Sequence, residues 1–115
     1  MITVKPIQSK DEQKRLCELF GAPYMPEALA YSADDDDIAD KRGGFVGICQ
    51  FTLTGGRGVI ASLDFVEGAD ESAFIAGRAA ITFIKELGIK DIACSERISE
   101  KMAFALTHAG CGNCL

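Results

Sequence analysis

Apolar and polar positions along this chain fall into two periods, and the changes between them mark out its elements. Residues 2–7 alternate in part around Pro6 and predict a short strand. Ser9 and Glu12 have the reciprocal spacing of a helix-capping pair, and Leu16, Leu19 and Phe20 form the stripe that this helix buries. Gly21 and Pro23 end it, and residues 28–32 predict a second short strand. Asp34, Asp35, Asp36, Asp37 and Asp40, followed by Lys41, Arg42, Gly43 and Gly44, are too charged to bury and predict a solvated hairpin loop. Residues 45–53 and 59–66 are apolar runs joined by Thr54, Gly55, Gly56, Arg57 and Gly58, whose glycines admit the positive φ of a tight hairpin. These predict two central antiparallel strands.

Downstream the period becomes helical. Phe74, Ile75, Ile81, Ile84 and Leu87 share one face, with Gly88 as the stop. Residues 89–94 predict a strand, and Ser95 and Ser99 are both candidate caps for a last helix carrying Ile98, Met102, Ala105 and Leu106. The order β-α-β-β-β-α-β-α predicts an α/β fold, a short mixed and mostly antiparallel sheet with packed helices, in one domain over residues 1–115.

Composition narrows the function classes. An apolar share of 48% in 115 residues supplies one modest core, and no apolar run approaches the roughly 18 residues that span a bilayer. The start, Met1 to Pro6, lacks the apolar stretch of a secretory signal, so the expected location is cytoplasmic, with no membrane partner. Cys17, Cys49, Cys94, Cys111 and Cys114 are an odd set, three of them inside strand or helix patterns, which predicts reduced thiols. A net charge of −5 argues against neutralising a phosphate backbone, so nucleic acid is not an expected partner.

The strand over 59–66, the acidic loop after it and the long helix beyond are the most informative stretch. A hairpin followed by strand, helix, parallel strand and helix, with the glycine-containing segment Gly44-Phe45-Val46-Gly47-Ile48-Cys49-Gln50-Phe51 ahead of it, resembles the GNAT superfamily of acyl-CoA N-acyltransferases. The resemblance implies that residues 63–66 splay from residues 90–94 and that acetyl-CoA lays its pantetheine arm along Leu63, Phe65 and Val66. Two ordinary core strands are the other reading of the same residues.

The family grips pyrophosphate with Gln/Arg-x-x-Gly-x-Gly/Ala, whose backbone amides point at the phosphates from a helix N-terminus. The matching register here is Glu71-Ser72-Ala73-Phe74-Ile75-Ala76, with an acid in the basic position and an aromatic at the first glycine. The resemblance makes Glu71, Ser72, Ala73, Phe74 and Ala76 the cofactor-side candidates of a degenerate loop. Reading Gly77-Arg78-Ala79 as the glycine pair instead cuts too far into the helix. Glu67, Asp70 and Glu71 add like charge; two unit charges about 6 Å apart cost roughly 1 to 3 kcal/mol. Complementing the helix dipole is the plainer role for Asp70 and Glu71.

The family's last helix often carries an asparagine and then a tyrosine that protonates the leaving thiolate. Ser99 and Leu106 stand at those positions. Tyr24 and Tyr31 are the only tyrosines, and Tyr31 sits in a strand pattern that reads as structural. Glu67, then Asp64, are the candidate general bases, and strand alternation sends the two to opposite faces. In the family two further strands follow the position of Gly110; without them the exposed edge predicts a homodimer.

Cys111-x-x-Cys114 with His108 nearby would suit zinc only if a fourth ligand such as Cys94 joined, or would form a redox pair; idle thiols on a tail are the plainer reading, and no metal is expected. The Asp34 to Asp37 run lacks the spacing of a calcium loop. Two function classes stand. One is an N-acetyltransferase moving an acyl group from acetyl-CoA to an amine of a small molecule or protein. The other is a non-catalytic GNAT-fold binding or regulatory domain that has lost the cofactor.

Overall fold

The computed structural model describes residues 1–112. Its elements are β1 (Ile2–Pro6), α1 (Lys10–Phe20), β2 (Leu29–Asp35), β3 (Gly47–Thr54), β4 (Arg57–Phe65), α2 (Asp70–Glu86), β5 (Asp91–Cys94) and α3 (Glu100–Thr107). The five strands form one sheet in the order β1-β2-β3-β4-β5. All pairs are antiparallel except β4 with β5, which are parallel and joined through α2. A parallel pair needs such a crossover, whereas β3 and β4 need only the turn at Gly55 and Gly56, both at positive φ.

Adjacent strand residues face opposite ways, and the two apolar clusters follow that rule. On one face Leu16, Cys17 and Phe20 of α1 gather with Val46 and Ile48. On the other, Ala76, Ala80, Ile81 and Ile84 of α2 gather with Cys49, Phe51, Ile60 and Ile92. Ala103 and Leu106 of α3 join that second cluster, Leu106 resting beside Gly77 of α2.

Several boundaries differ from those the pattern predicts. β2 runs on to Asp35, so two aspartates of the predicted loop lie in a strand opposite Ile2 and Thr3. They are tolerated there because Asp34 receives Lys41 at 2.8 Å and Asp35 lies 3.8 Å from the N-terminal amine. The buried stripe of α2 is built from small residues, Ser72, Ala73, Ala76, Gly77 and Ala80, with Ile81 and Ile84, while Leu87 is 55% exposed. Small side chains let the helix axis approach the sheet, and Phe74 is left at the margin. Of the two candidate caps of α3, Ser99 is the one whose hydroxyl accepts from Met102 N–H.

The end of β4 departs from regular pairing. Gln50 sits opposite Ser62 but Phe51 sits opposite Ile60, so Ala61 is the extra residue of a β-bulge. Pairing with β5 stops at the same point, at Ile60 opposite Cys94. A bulge bends its strand and adds twist, so β4 leaves β5 here while keeping β3 as its partner. Gln50, fully buried, holds the bend: its carboxamide nitrogen donates to Ser62 Oγ at 3.0 Å and to the Pro23 carbonyl at 2.8 Å. Its oxygen accepts from Gln13 Nε2, Met25 N–H and the Cys17 thiol at 3.0, 3.2 and 3.4 Å.

Candidate functional site

The diverging strands open a wedge. Beyond Ile60, β4 carries Leu63 and Phe65 on the α2 side, pairs only with β3, and turns through Val66 and Gly68 into α2. The chain after β5 stays close for one residue more, with Ser95 N–H donating to the Ile60 carbonyl at 3.0 Å and Ser95 Oγ to the Ala61 carbonyl at 2.6 Å. It then swings away to the Ser99 cap of α3. Between the two arms lies a cavity of about 350 Å³, lined among others by Leu63, Phe65, Glu67, Ala73, Arg97 and Ser99. A second of about 350 Å³ shares Asp70, Ser99 and Met102 with it and continues between α2 and α3 past Glu71, Phe74 and Lys101.

Phe65 reaches the cavity wall because its β3 partner is Gly47. A Cβ built on Gly47 would sit 2.2 Å from the Phe65 ring, so any larger residue displaces the ring. The glycine in that apolar segment therefore bears directly on the shape of the cleft.

Charge is divided across the wedge. Glu67, Asp70 and Glu71 are exposed at the β4–α2 turn, and Arg97 and Lys101 come from the β5–α3 side. Arg97 donates to Asp64 Oδ1 at 3.3 Å, with side-chain exposures of 47% and 18%. So open a pair adds little stability, and its effect is to aim the guanidinium. Asp64 Oδ2 is buried and has no hydrogen-bond partner among the described residues. Burial, reinforced by the Asp64 charge, pushes the Cys49 thiol up to about 12 and raises Cys17 as well. Two helix N-termini also face the cleft. That of α2, entered through Ala69, has no side-chain cap, which leaves first-turn amides without an intrahelical partner.

Of the residues singled out by sequence, Leu63, Phe65, Val66, Glu67 and Ala73 line the first cavity, and Glu71 and Phe74 the second. Ser72 and Ala76 line neither: Ser72 Oγ points at Asp35 Oδ2, 3.5 Å away, and Ala76 is fully buried under the sheet. Asp64 is turned to the α1 face, opposite Ile48, and engaged by Arg97. Ser99 stands on the rim shared by both cavities, while Leu106 is buried in the core beside Gly77 and away from either. Tyr31 stacks on Phe51 with centroids 5.6 Å apart.

His108 is exposed and rests edge-on to Phe104, whereas Cys111 is buried against Cys94; Cys114 lies outside the described residues. Among the described residues no group of three or more side chains is placed to hold a metal ion. Nor is any described helix long and apolar enough to cross a membrane.

Arg97 and Lys101 were not singled out by sequence. The signal available was positional: they follow the carboxyl end of a parallel strand, where open α/β sheets collect their ligand contacts.

No family model matches the sequence, and no curated protein does. Solved structures do match. A GNAT-family acetyltransferase from Streptococcus pneumoniae superposes with a TM-score of 0.62 at 16% identity, covering 97% of this chain and 88% of that one. A probable GNAT-family acetyltransferase from Chromobacterium violaceum gives 0.62 at 16%, covering 95% and 73%. The putative N-acetyl transferase YhhK from E. coli, solved bound to coenzyme A, gives 0.53 at 14%, covering 94% and 85%. At that coverage and those TM-scores, this chain has the fold of the GNAT-family acetyltransferases.

Proposed function

We propose that the protein is a cytoplasmic N-acyltransferase that takes its acyl group from acetyl-CoA and passes it to an amine. The observation that carries this reading is the loss of β4–β5 pairing after Ile60, which leaves the β5-facing edge of residues 62–65 open above the cavity. Backbone amides on such an edge are obligatory hydrogen-bonding groups, suited to an amide-bearing arm laid beside them. Arg97 and Lys101 are the cations available to phosphate, and the uncapped α2 N-terminus adds its amides. Against them stand Glu67, Asp70 and Glu71, so the affinity expected is modest, in the micromolar range.

The thioester supplies an activated acyl carbon. Glu67, exposed on the cavity wall, takes the proton from the attacking amine; Asp64 positions Arg97 rather than acting as the base. The amine nitrogen forms the amide bond as the carbon–sulfur bond breaks. A thiolate, far less basic than an alkoxide, can leave without a strong acid, and Ser99, whose oxygen accepts from Met102 N–H, keeps its own proton to donate toward the cavity.

One observation favours the non-catalytic alternative: Leu106, at the position the family gives to a tyrosine, is sealed in the core. Titration calorimetry with acetyl-CoA separates the two. Micromolar binding with Glu67→Gln retaining affinity but losing acyl transfer to a panel of amines supports the enzyme. No heat at millimolar ligand overturns it. We further propose a homodimer, although Gly112 N–H already donates to the Ile92 carbonyl on the outer side of β5. Light scattering that gives a monomer at high concentration refutes it.

A further inference from the structure

We propose that Cys94 and Cys111 form a reversible dithiol–disulfide site, independent of acyl transfer, whose oxidant is a low-molecular-weight disulfide such as glutathione disulfide. The two sulfurs lie 3.2 Å apart, Cys94 ending β5 and Cys111 in the segment after α3. A disulfide needs about 2.05 Å, so side-chain rotation of little more than an ångström closes it. The backbone on both sides of Cys111 is already fixed. Cys111 N–H donates to the Leu106 carbonyl at 3.1 Å, Gly112 N–H donates to the Ile92 carbonyl, and Lys85 Nζ holds the Ala109 carbonyl at 3.1 Å.

The flanking glycines make that approach possible. A Cβ on Gly112 would stand 2.8 Å from the Ile92 carbonyl oxygen, and one on Gly110 would run into the Lys85 side chain. The segment thus lies against β5 because Gly112 carries no side chain, while Gly110 turns the chain at a φ of 109°.

Chemistry separates this pair from the other thiols. Cys49 and Cys17 are held protonated by burial and by Asp64, and the thiolate is the form that attacks a disulfide. Cys111 is shifted the opposite way by the hydrogen bond from the Cys94 thiol. Cys111 is itself buried, but it lies between two exposed glycines, so a local opening of that short segment admits the small disulfide to it first. The Cys111 thiolate attacks one sulfur of the small disulfide and expels one thiol. Cys94, losing its proton to solvent, attacks Cys111 Sγ in the mixed disulfide and expels the second. One disulfide is reduced to two thiols while the protein loses two hydrogens. The closed bond ties the end of β5, and with it the 95–99 arm of the cleft, to the C-terminal segment.

The test is non-reducing peptide mapping of the full chain after incubation with excess glutathione disulfide, on wild type, Cys114→Ser, Cys94→Ser and Cys111→Ser. Expected are a mass loss of two hydrogens and a Cys94–Cys111 cross-linked peptide in wild type and in Cys114→Ser, reversed by dithiothreitol. The oxidised form should also melt about 5 °C or more above the reduced form. Cys94→Ser should stop at a stable glutathione adduct on Cys111. Wild type that stays reduced, a cross-link between Cys111 and Cys114, or a Cys114→Ser variant that forms no cross-link each overturns the proposal.

Discussion

Replacing Gln50 by leucine tests whether a buried carboxamide holds the bend that opens the cleft. Leucine is close to glutamine in volume, so the change isolates hydrogen bonding from cavity formation. Five contacts between 2.8 and 3.4 Å disappear. Gln13 Nε2 keeps the Met25 carbonyl at 3.1 Å, and the Pro23 carbonyl keeps only the Cys17 thiol at 4.0 Å. Met25 N–H, the Pro23 carbonyl and the buried Ser62 hydroxyl are the groups left without a good partner. Each buried group so stranded costs about 1–3 kcal/mol. The first two belong to the partly exposed 21–28 connection, where water reaches some of the loss, and a hydroxyl such as that of Ser62 can turn toward another acceptor, so the expected destabilisation is about 3 kcal/mol.

Urea denaturation should show that loss with an unchanged slope, together with a Tm lower by about 15 °C. A double-mutant cycle with Gln13→Leu should show strong coupling, since both side chains belong to one network. Hydrogen exchange should quicken at Met25 and along residues 62–65, because Ser62 is the residue just past the bulge. A loss below about 1 kcal/mol, or additive single variants, would refute the claim that Gln50 holds this bend.

Gly47→Ala should cost about 1–3 kcal/mol in urea melts by pushing the Phe65 ring out of place, and Phe65→Ala in the same chain should recover part of it; equal stability of Gly47→Ala and wild type would count against the packing described. In thiol-labelling at pH 8, Cys49, with its pKa near 12, should react roughly a thousandfold more slowly than an ordinary thiol until the protein is unfolded, and prompt labelling would contradict its burial. Asp34 is held below the usual carboxylate range, first by the hydrogen bond from Lys41, so its contribution is complete above about pH 4 and is lost as pH falls through the lowered value. The Tm difference between wild type and Asp34→Asn should therefore narrow as pH falls below about 4, and a constant difference would show that the pair adds no linkage.

The sequence by itself determined the elements and their order, because those depend on short-range periodicity and on a few caps and turns. Ser9 with Glu12, the Gly55-Gly56 turn and the Ser99 cap all act within one turn of chain, and each does so here. Gly47 was legible as a glycine in an apolar segment, though its partner Phe65, eighteen positions on, was not. Strand ends were less legible: β2 absorbs two aspartates because Lys41, seven positions on, folds back to Asp34 and the N-terminal amine, 34 positions before, lies beside Asp35.

The tertiary structure alone decided how the cleft is formed. The bulge at Ala61 shifts the alternation of β4, so Ile60, Leu63 and Phe65 share a face that strict period-two reading would divide. Arg97 meets Asp64 across 33 residues, Gln50 meets Ser62 across 12, and Cys111 meets Cys94 across 17. No local pattern encodes such meetings, because they depend on where the bulge and the parallel crossover carry the chain. Periodicity records which face a residue prefers; only the packed sheet fixes what stands opposite it.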